Sequence, residues 1–310
     1  MLRASFIILL GLAGCFETRR FFVTGTGGPD CGDGKVNGKE ACDGGLPRGH
    51  DACVGRDSAR FVAGTLVCKA CGIDESACVS VSDSSLRVYL PLDGGTLTDL
   101  AGSPSAAEPH SNGTSTTSFA GLVSAEGRVG SGISLQDAGS GFGWAQGTKV
   151  NVPIQQLATV SVWLRPSSET ADGSAVFSDG VRRIRLLKSA SDFLVMVEVE
   201  DGSHLRTLTF DHFVQAGEWV FVASVIDAAA GETRAVLIPS SGAMQTLVSP
   251  IAGLPNAAVG KVLWGANATL PSFKGTLDEA KMWNTARSEE ALCAEAGGTV
   301  LATAHYCVFQ

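Results

Sequence analysis

From Leu86 onward, hydrophobic residues occur in short runs that alternate with polar residues or consist largely of β-branched residues. Clusters of Gly, Asn, Asp and Ser separate the runs, which is typical of strands joined by turns. The runs predict strands at 87–90, 132–135, 150–152, 159–164, 184–186, 193–199, 206–210, 219–226, 233–238 and 261–264. We expect an all-β fold, an antiparallel sandwich of two sheets, because helical periodicity is almost absent between these runs.

One segment near the C-terminus departs from this pattern and predicts a helix at 288–296. Ser288 is a favourable N-cap residue. Glu289 and Glu290 follow it, where carboxylates interact favourably with the positive end of the helix dipole.

The N-terminal residues have neither the strand pattern nor the helix pattern described above. Arg3 precedes an uncharged run at 4–10, and the sequence Leu-Ala-Gly-Cys follows and ends at Cys15. The run is too short to span a bilayer as a helix and indicates a signal peptide at 1–14. Residues 12–15 resemble a bacterial lipobox, which implies that Cys15 carries the lipid that anchors the chain to a membrane. The alternative is an ordinary secretory signal that happens to contain a cysteine.

The resemblance to a lipobox also bears on localisation. Phe16, rather than Asp, follows the cysteine, and by the sorting rule of enteric bacteria this favours the outer membrane or the cell surface. The formal net charge of −8 argues against a nucleic-acid partner and against a polybasic membrane-binding surface.

Six of the nine cysteines lie between residues 31 and 78, after a Gly- and Thr-rich tether at 15–30. The segment has few large apolar side chains, so disulfides are expected to stabilise it in place of a core. The cysteines are Cys31, Cys42, Cys53, Cys68, Cys71 and Cys78. Their spacing leaves the pairing open. Cys-Gly-Asp-Gly at 31–34 and Gly-Thr-Leu-Val-Cys at 64–68 resemble a cysteine-rich repeat on surface proteins of gliding, predatory bacteria.

Two metal sites are alternatives for this segment. Cys68 and Cys71 have the spacing of half a zinc site, but an exported protein lies in an oxidising compartment, which favours disulfides. Asp30, Asp33, Asn37 and Glu40 resemble the oxygen-rich spacing of a calcium loop without the order of an EF-hand. Turn formation accounts equally well for Asp and Gly at these positions.

A polar linker at 79–85 precedes the last predicted domain, at 86–310. Five blocks resemble, in order, the laminin-G-like, concanavalin A-like jelly roll. They are Leu-Pro-Leu-Asp-Gly at 90–94, the block at 130–135, Thr-Val-Ser-Val-Trp-Leu-Arg-Pro at 159–166, the block at 216–223, and the closing block at 273–284. The resemblance implies one structural calcium held by Asp93 and Asp278 with backbone carbonyls, because calcium takes six to eight oxygen ligands. The sequence leaves open whether calcium binds.

Trp163 and Trp219 lie in two of these blocks. Large aromatic residues in alternating strands fill the space between two packed sheets. The alternative is that both rings stack on a sugar. We favour the interior position.

A glycan hydrolase is the catalytic alternative for this fold. Retaining enzymes need two carboxylates about 5 Å apart. The Glu-x-Asp-x-x-Glu pattern that would supply them is absent, and Glu198-Val-Glu200-Asp201 is the nearest sequence. The solvated face of an antiparallel sheet explains this acidic strand more simply. We therefore expect a protein that is not an enzyme, because fold alone does not imply catalysis.

Cys293 and Cys307 are the last two of the nine cysteines. A disulfide between them would close a loop of about fifteen residues and stabilise the fold by about 3 kcal/mol.

Together these features predict a lipid-anchored surface protein whose head binds a glycan or a surface protein in adhesion. A structural role in the envelope is the alternative. The sequence does not identify the ligand-binding residues.

Overall fold

The computed structural model describes residues 36, 41–43, 46, 53–57, 60–101, 106–144, 158–202, 204–253, 261–267, 269–301 and 306–309. Its helices are α1 Cys53–Arg56 and α2 Glu289–Glu295, and a 3₁₀ turn covers Asp93–Gly95. Its strands, in chain order, are β1 Phe61–Ala63, β2 Val67–Lys69, β3 Gly72–Asp74, β4 Val79–Ser80, β5 Leu86–Leu90, β6 Glu108–Ser111, β7 Thr114–Ser115, β8 Leu122–Glu126, β9 Ser131–Leu135, β10 Ser140–Trp144, β11 Thr159–Pro166, β12 Ser174–Ser178, β13 Arg182–Ser189, β14 Asp192–Asp201, β15 His204–Val214, β16 Val220–Asp227, β17 Glu232–Pro239, β18 Gln245–Pro250, β19 Val262–Trp264, β20 Gly275–Trp283, β21 Thr299–Leu301 and β22 Tyr306–Val308.

Most of these strands form two eight-stranded sheets. Sheet I has the order β18-β17-β16-β11-β20-β9-β8, and β5 pairs with β20 beside β9. Sheet II has the order β15-β14-β13-β12-β19-β10-β6-β7. The strand pairs within both sheets are antiparallel. The predicted all-β, two-sheet sandwich is confirmed.

The main core lies between the two sheets. In β11 the side chains of Val160, Val162 and Leu164 alternate with polar and aromatic ones and pack into this core. Sheet II contributes every second residue of β14, and it also contributes Trp144 and Trp264. This alternation is what the two-residue period of a strand requires when one face of a sheet is buried.

Trp163 is buried, but not between the sheets as the sequence suggested. Successive side chains of a strand point to opposite faces of the sheet, and Val162 and Leu164 on either side of Trp163 point into the core. The Trp163 ring therefore lies on the outer face of sheet I. There it packs in a second cluster with Phe221, Leu292 and the cysteines Cys293 and Cys307. Helix α2 and the C-terminal segment therefore cover this face, and Trp163 is interior because of that cover.

The predicted C-terminal helix is confirmed as α2. Ser288 has extended backbone angles, and its Oγ accepts a hydrogen bond from the backbone N–H of Ala291. Leu292 and Cys293 face the protein and are fully buried. Among the described residues, no helix is long and apolar enough to cross a membrane.

The chain divides into two compact units, residues 1–46 with 67–74 and residues 47–66 with 75–310. In the first unit, β2 and β3 form a hairpin, and Cys42 is bonded to Cys68. In the second, β1 pairs with β4 ahead of the sandwich, and Gly64 N–H donates to Ala294 O. Part of the segment at 31–78 thus groups with the sandwich, whereas a boundary at 79–85 stays a prediction from the sequence.

Candidate functional site

The described cysteines are all in disulfides. Cys42 pairs with Cys68, Cys53 with Cys78, and Cys293 with Cys307. Cys71 is also disulfide-bonded, so Cys68 and Cys71 do not form half a zinc site. Cys15 and Cys31 lie outside the described residues. Lipidation of Cys15 therefore stays a prediction.

The Cys293–Cys307 disulfide fastens the C-terminal segment to helix α2. Both cysteines are fully buried, and they are 14 residues apart. The Phe309 ring, two residues later, lies 5.9 Å from the Trp163 ring. The guanidinium of Arg128 lies 4.9 Å from the Trp163 ring and 5.2 Å from the Phe309 ring. The bond therefore keeps an aromatic cover over the outer face of sheet I.

Asp93 and Asp278, the predicted calcium ligands, are brought to the same loop at 127–131. Asp278 Oδ2 accepts hydrogen bonds from the backbone N–H of Arg128 at 2.7 Å and of Val129 at 2.9 Å. Asp93 Oδ1 accepts one from the backbone N–H of Ser131 at 3.0 Å. The two carboxylates thus fix the loop that leads into β9.

This geometry does not fit calcium well. The second oxygen of Asp278 accepts the backbone N–H of Glu279 at 3.0 Å, so both of its oxygens face donors. A Cβ placed on Gly127 would lie 2.7 Å from Asp278 Oδ2, and one on Gly130 would lie 2.5 Å from Asp93 Oδ1. The loop backbone therefore fills the space beside both carboxylates. In the part of the chain that the structure describes, no group of three His, Cys, Asp or Glu side chains is arranged to hold a metal ion.

A buried polar cluster follows Asp278 in β20. Glu279 has a left-handed backbone, φ 53°, at a bulge where the register against β11 shifts. Its carboxylate accepts hydrogen bonds from the Tyr89 hydroxyl at 3.1 Å and from Lys281 Nζ at 2.8 Å. Burial raises the pKa of Asp278 well above its usual value, and it raises the pKa of Glu279. Tyr89, Asp278, Glu279 and Lys281 are all buried, and none of them lines the cleft described below.

The acidic strand considered as a catalytic pair is engaged in ion pairs. Glu198 lies 3.1 Å from the guanidinium of Arg185, and Glu200 lies 3.1 Å from that of Arg183. Glu198 is buried, so the predicted solvated face is wrong for this residue. Asp201 accepts the backbone N–H of Ala252, which holds the pKa of Asp201 below its usual value. These carboxylates are therefore explained by their partners within the sheet.

A polar cleft opens at one end of sheet I and has a volume of about 620 Å³. It is lined by segments 134–136, 165–169, 216–217 and 274–276. Ser134, Gln136 and Ser168 contribute hydroxyl and amide groups that have no hydrogen-bond partner among the described residues. Such groups can bond to the hydroxyls of a ligand, because each can both donate and accept.

Arg165 lines this cleft, and its guanidinium contacts Trp219, which lies next to the lining segment 216–217. Arg165 follows Trp163 by two residues and lies on the same outer face of sheet I. Its guanidinium lies 4.9 Å from the centre of the Trp219 ring, within the range of a cation–π interaction. Arg165 also donates to Glu126 O at 3.1 Å and lies 3.4 Å from Thr276 Oγ1. Trp219 is half-buried, so it is neither a fully interior residue nor a bare sugar platform.

The loop at 166–170 forms another wall of the cleft and is held by two lysines. Lys188 Nζ donates to Ser168 O at 2.9 Å, and the Thr170 hydroxyl donates to Lys274 O. Lys274 Nζ lies 2.9 Å from Glu169 Oε2, and this contact lowers the pKa of Glu169. Gly275 allows β11 to lie close to β20, since a Cβ at this position would lie 2.3 Å from Arg165 O.

Sequence analysis did not identify these cleft residues. Arg165 and Lys274 each lie inside a block that resembles the jelly roll, at 159–166 and 273–284. Their charge alone did not indicate a binding site. A polar residue at the end of a predicted strand is usually at the solvent. Only the pairing of Arg165 with Thr276 and Pro166 with Gly275 shows that the ends of β11 and β20 meet.

Comparison with known proteins agrees with this architecture. The sequence profile of the concanavalin A-like lectin/glucanases superfamily matches residues 139–293. A search among curated proteins finds no significant match.

Solved structures resemble this chain at low sequence identity. Domain 4 of AbnA, a GH43 extracellular arabinanase from Geobacillus stearothermophilus, in complex with arabinotriose, has a TM-score of 0.53 and 19% identity. The match covers 68% of this chain and 98% of that one. The CBM40 of the Ruminococcus gnavus IT-sialidase bound to α2,3 sialyllactose has a TM-score of 0.39 and 16% identity, covering 52% of this chain and 94% of that one. With its two antiparallel sheets and the profile match over half its length, the chain belongs to the concanavalin A-like lectin/glucanases superfamily.

Proposed function

We propose that this chain is a surface lipoprotein, anchored in the outer membrane through Cys15, whose jelly-roll head binds a glycan without cleaving it. The observation that carries the binding proposal is the cleft at the end of sheet I. It combines unpartnered hydroxyl and amide groups with an arginine that lies against Trp219. A few directed polar groups of this kind fix the orientation of a ligand in a binding site.

The similarity in fold supports the same proposal. The arabinanase domain with the same architecture is described in complex with arabinotriose. Fold alone does not determine function, and this likeness supports a glycan as the class of ligand.

The non-catalytic part of the proposal is supported by the acidic strand. Glu198 and Glu200, the candidate carboxylates, are each within 3.1 Å of an arginine nitrogen. A retaining glycosidase needs both carboxylates directed at the glycosidic bond, whereas these two contact arginines of the neighbouring strand β13.

The test uses the full lipidated chain in detergent and a panel of soluble neutral and acidic polysaccharides, with binding followed by affinity electrophoresis. We expect retardation by at least one polymer and no release of reducing sugar from any of them. Absence of retardation by the whole panel would overturn glycan binding, and reducing-sugar release would overturn the non-catalytic assignment.

The anchor is tested separately with Cys15→Ser. We expect this variant to leave the outer-membrane fraction, while the unmodified chain sediments with it. Retention of the variant in the membrane would show that Cys15 is not the anchor.

A further inference from the structure

Arg165 differs from six other arginines of the sandwich in how its charge is balanced. Six arginines lie within 4 Å of a carboxylate oxygen, namely Arg182, Arg183, Arg185, Arg206, Arg234 and Arg287. Arg165 has only neutral acceptors, a backbone carbonyl and a threonine hydroxyl, and no carboxylate partner among the described residues. The cleft therefore contains a cation whose charge the described residues leave uncompensated.

The same guanidinium is held in place before any ligand arrives. One of its nitrogens donates to Glu126 O, and its central carbon lies 4.9 Å from the centre of the Trp219 ring. A guanidinium that is already fixed loses less side-chain freedom when it binds a ligand. Its fork of donors matches the two oxygens of a carboxylate.

A second cation lines the same cleft and has an exchangeable partner. Lys274 is paired with Glu169, whose side chain is 71% exposed while that of Lys274 is 27% exposed. Exposed ion pairs are weak, so a carboxylate from a ligand can replace Glu169 at Lys274 at small cost. The lining thus carries two basic side chains and one acidic one, in a chain whose net charge is −8.

We propose that the cleft is specific for an acidic glycan, whose uronate carboxylate is bound by Arg165 and Lys274, with Glu169 occupying Lys274 when no ligand is present. This inference rests on the proposed glycan binding and adds the class of sugar.

The experiment compares polygalacturonate with its fully methyl-esterified form, which keeps the sugar backbone and removes the charge. We expect the full chain to bind the acid at least about tenfold more tightly than the ester, because charge-assisted hydrogen bonds contribute more than neutral ones. Arg165→Gln and Lys274→Gln each reduce this preference. Glu169→Gln increases affinity for the acid by about twofold to fivefold, since a competing surface carboxylate is removed.

Arg183→Gln is the matched control, because it makes the same change of charge and side chain on sheet II. The inference is overturned if acid and ester bind equally, or if Arg165→Gln behaves like Arg183→Gln. Either result leaves glycan binding itself standing. Failure of every polysaccharide in the panel to bind overturns the proposed function as well.

Discussion

Lys281 Nζ lies 2.8 Å from Glu279 Oε2, and both side chains are buried on the outer face of sheet I. A buried ion pair is costly to break, because loss of one partner leaves the other charge in a medium of low polarity. We expect Lys281→Met to lower the free energy of unfolding by about 3–5 kcal/mol. Urea denaturation measures this change.

The double variant Lys281→Met with Glu279→Gln is the control for this pair. It removes both charges, and we expect it to recover most of the lost stability. A double variant as unstable as the single one would show that packing, and not charge, accounts for the loss.

Tyr89 gives a spectroscopic test of the same cluster. The chain has two tyrosines, and Tyr89 is fully buried whereas Tyr306 is 46% exposed. Burial, with the charge of Glu279 beside it, raises the pKa of Tyr89 well above its usual value. A raised pKa means that the unfolded chain releases this proton first, so stability is lost as the pH rises through the ordinary tyrosine range.

We therefore expect, in an alkaline titration, that the phenolate absorbance of Tyr89 appears together with unfolding. In Tyr89→Phe this contribution to the absorbance disappears. A single step of full amplitude in the folded protein would contradict the burial of Tyr89.

Calcium provides a third test, because the loop at 127–131 occupies the space beside Asp93 and Asp278. A ligand that binds only the folded state raises the melting temperature with its concentration. We expect millimolar calcium, after removal of metal with a chelator, to leave the melting temperature unchanged. A saturable increase that Asp278→Asn abolishes would mean that the loop moves aside and that the pair binds calcium.

The C-terminal disulfide is expected to stabilise the cover over Trp163. Replacing Cys293 and Cys307 by serine should reduce the free energy of unfolding by about 3 kcal/mol. We also expect increased quenching of tryptophan fluorescence, because Phe309 and Arg128 lie against Trp163. Unchanged quenching in the folded variant would show that the segment stays in place without the bond.

The long, regular strands could be predicted from sequence, because their hydrophobic and polar residues alternate in step with burial on the two faces of the sheet. The runs at 159–164 and 193–199 lie within β11 and β14. The strand β10 was missed because its sequence, Ser-Gly-Phe-Gly-Trp, contains two glycines, which are depleted in strands. In the structure, a Cβ on Gly143 would lie 2.0 Å from Val262 O, so close approach of the neighbouring strand requires glycine.

The candidate site was less predictable for a different reason. Resemblance placed Asp93 and Asp278 together, and the structure brings both to one loop, but their donors at 128–131 carry no sequence signal because they are backbone groups. The cleft joins segments that are about 140 residues apart at its extremes, between 134 and 276. Only sheet pairing brings such residues together.

The Cys53–Cys78 disulfide has a mechanical consequence for a chain that is pulled from its N-terminal side. Tension that reaches Cys53 passes through the covalent bond to Cys78 and then to the start of the sandwich. Residues 54–77, including Gly64 with its hydrogen bond to Ala294, are outside this covalent path. Beyond Cys78 the load runs along strand β4, so the pairing of β4 with β1 is the first strand contact that such tension would strain, before it reaches β5.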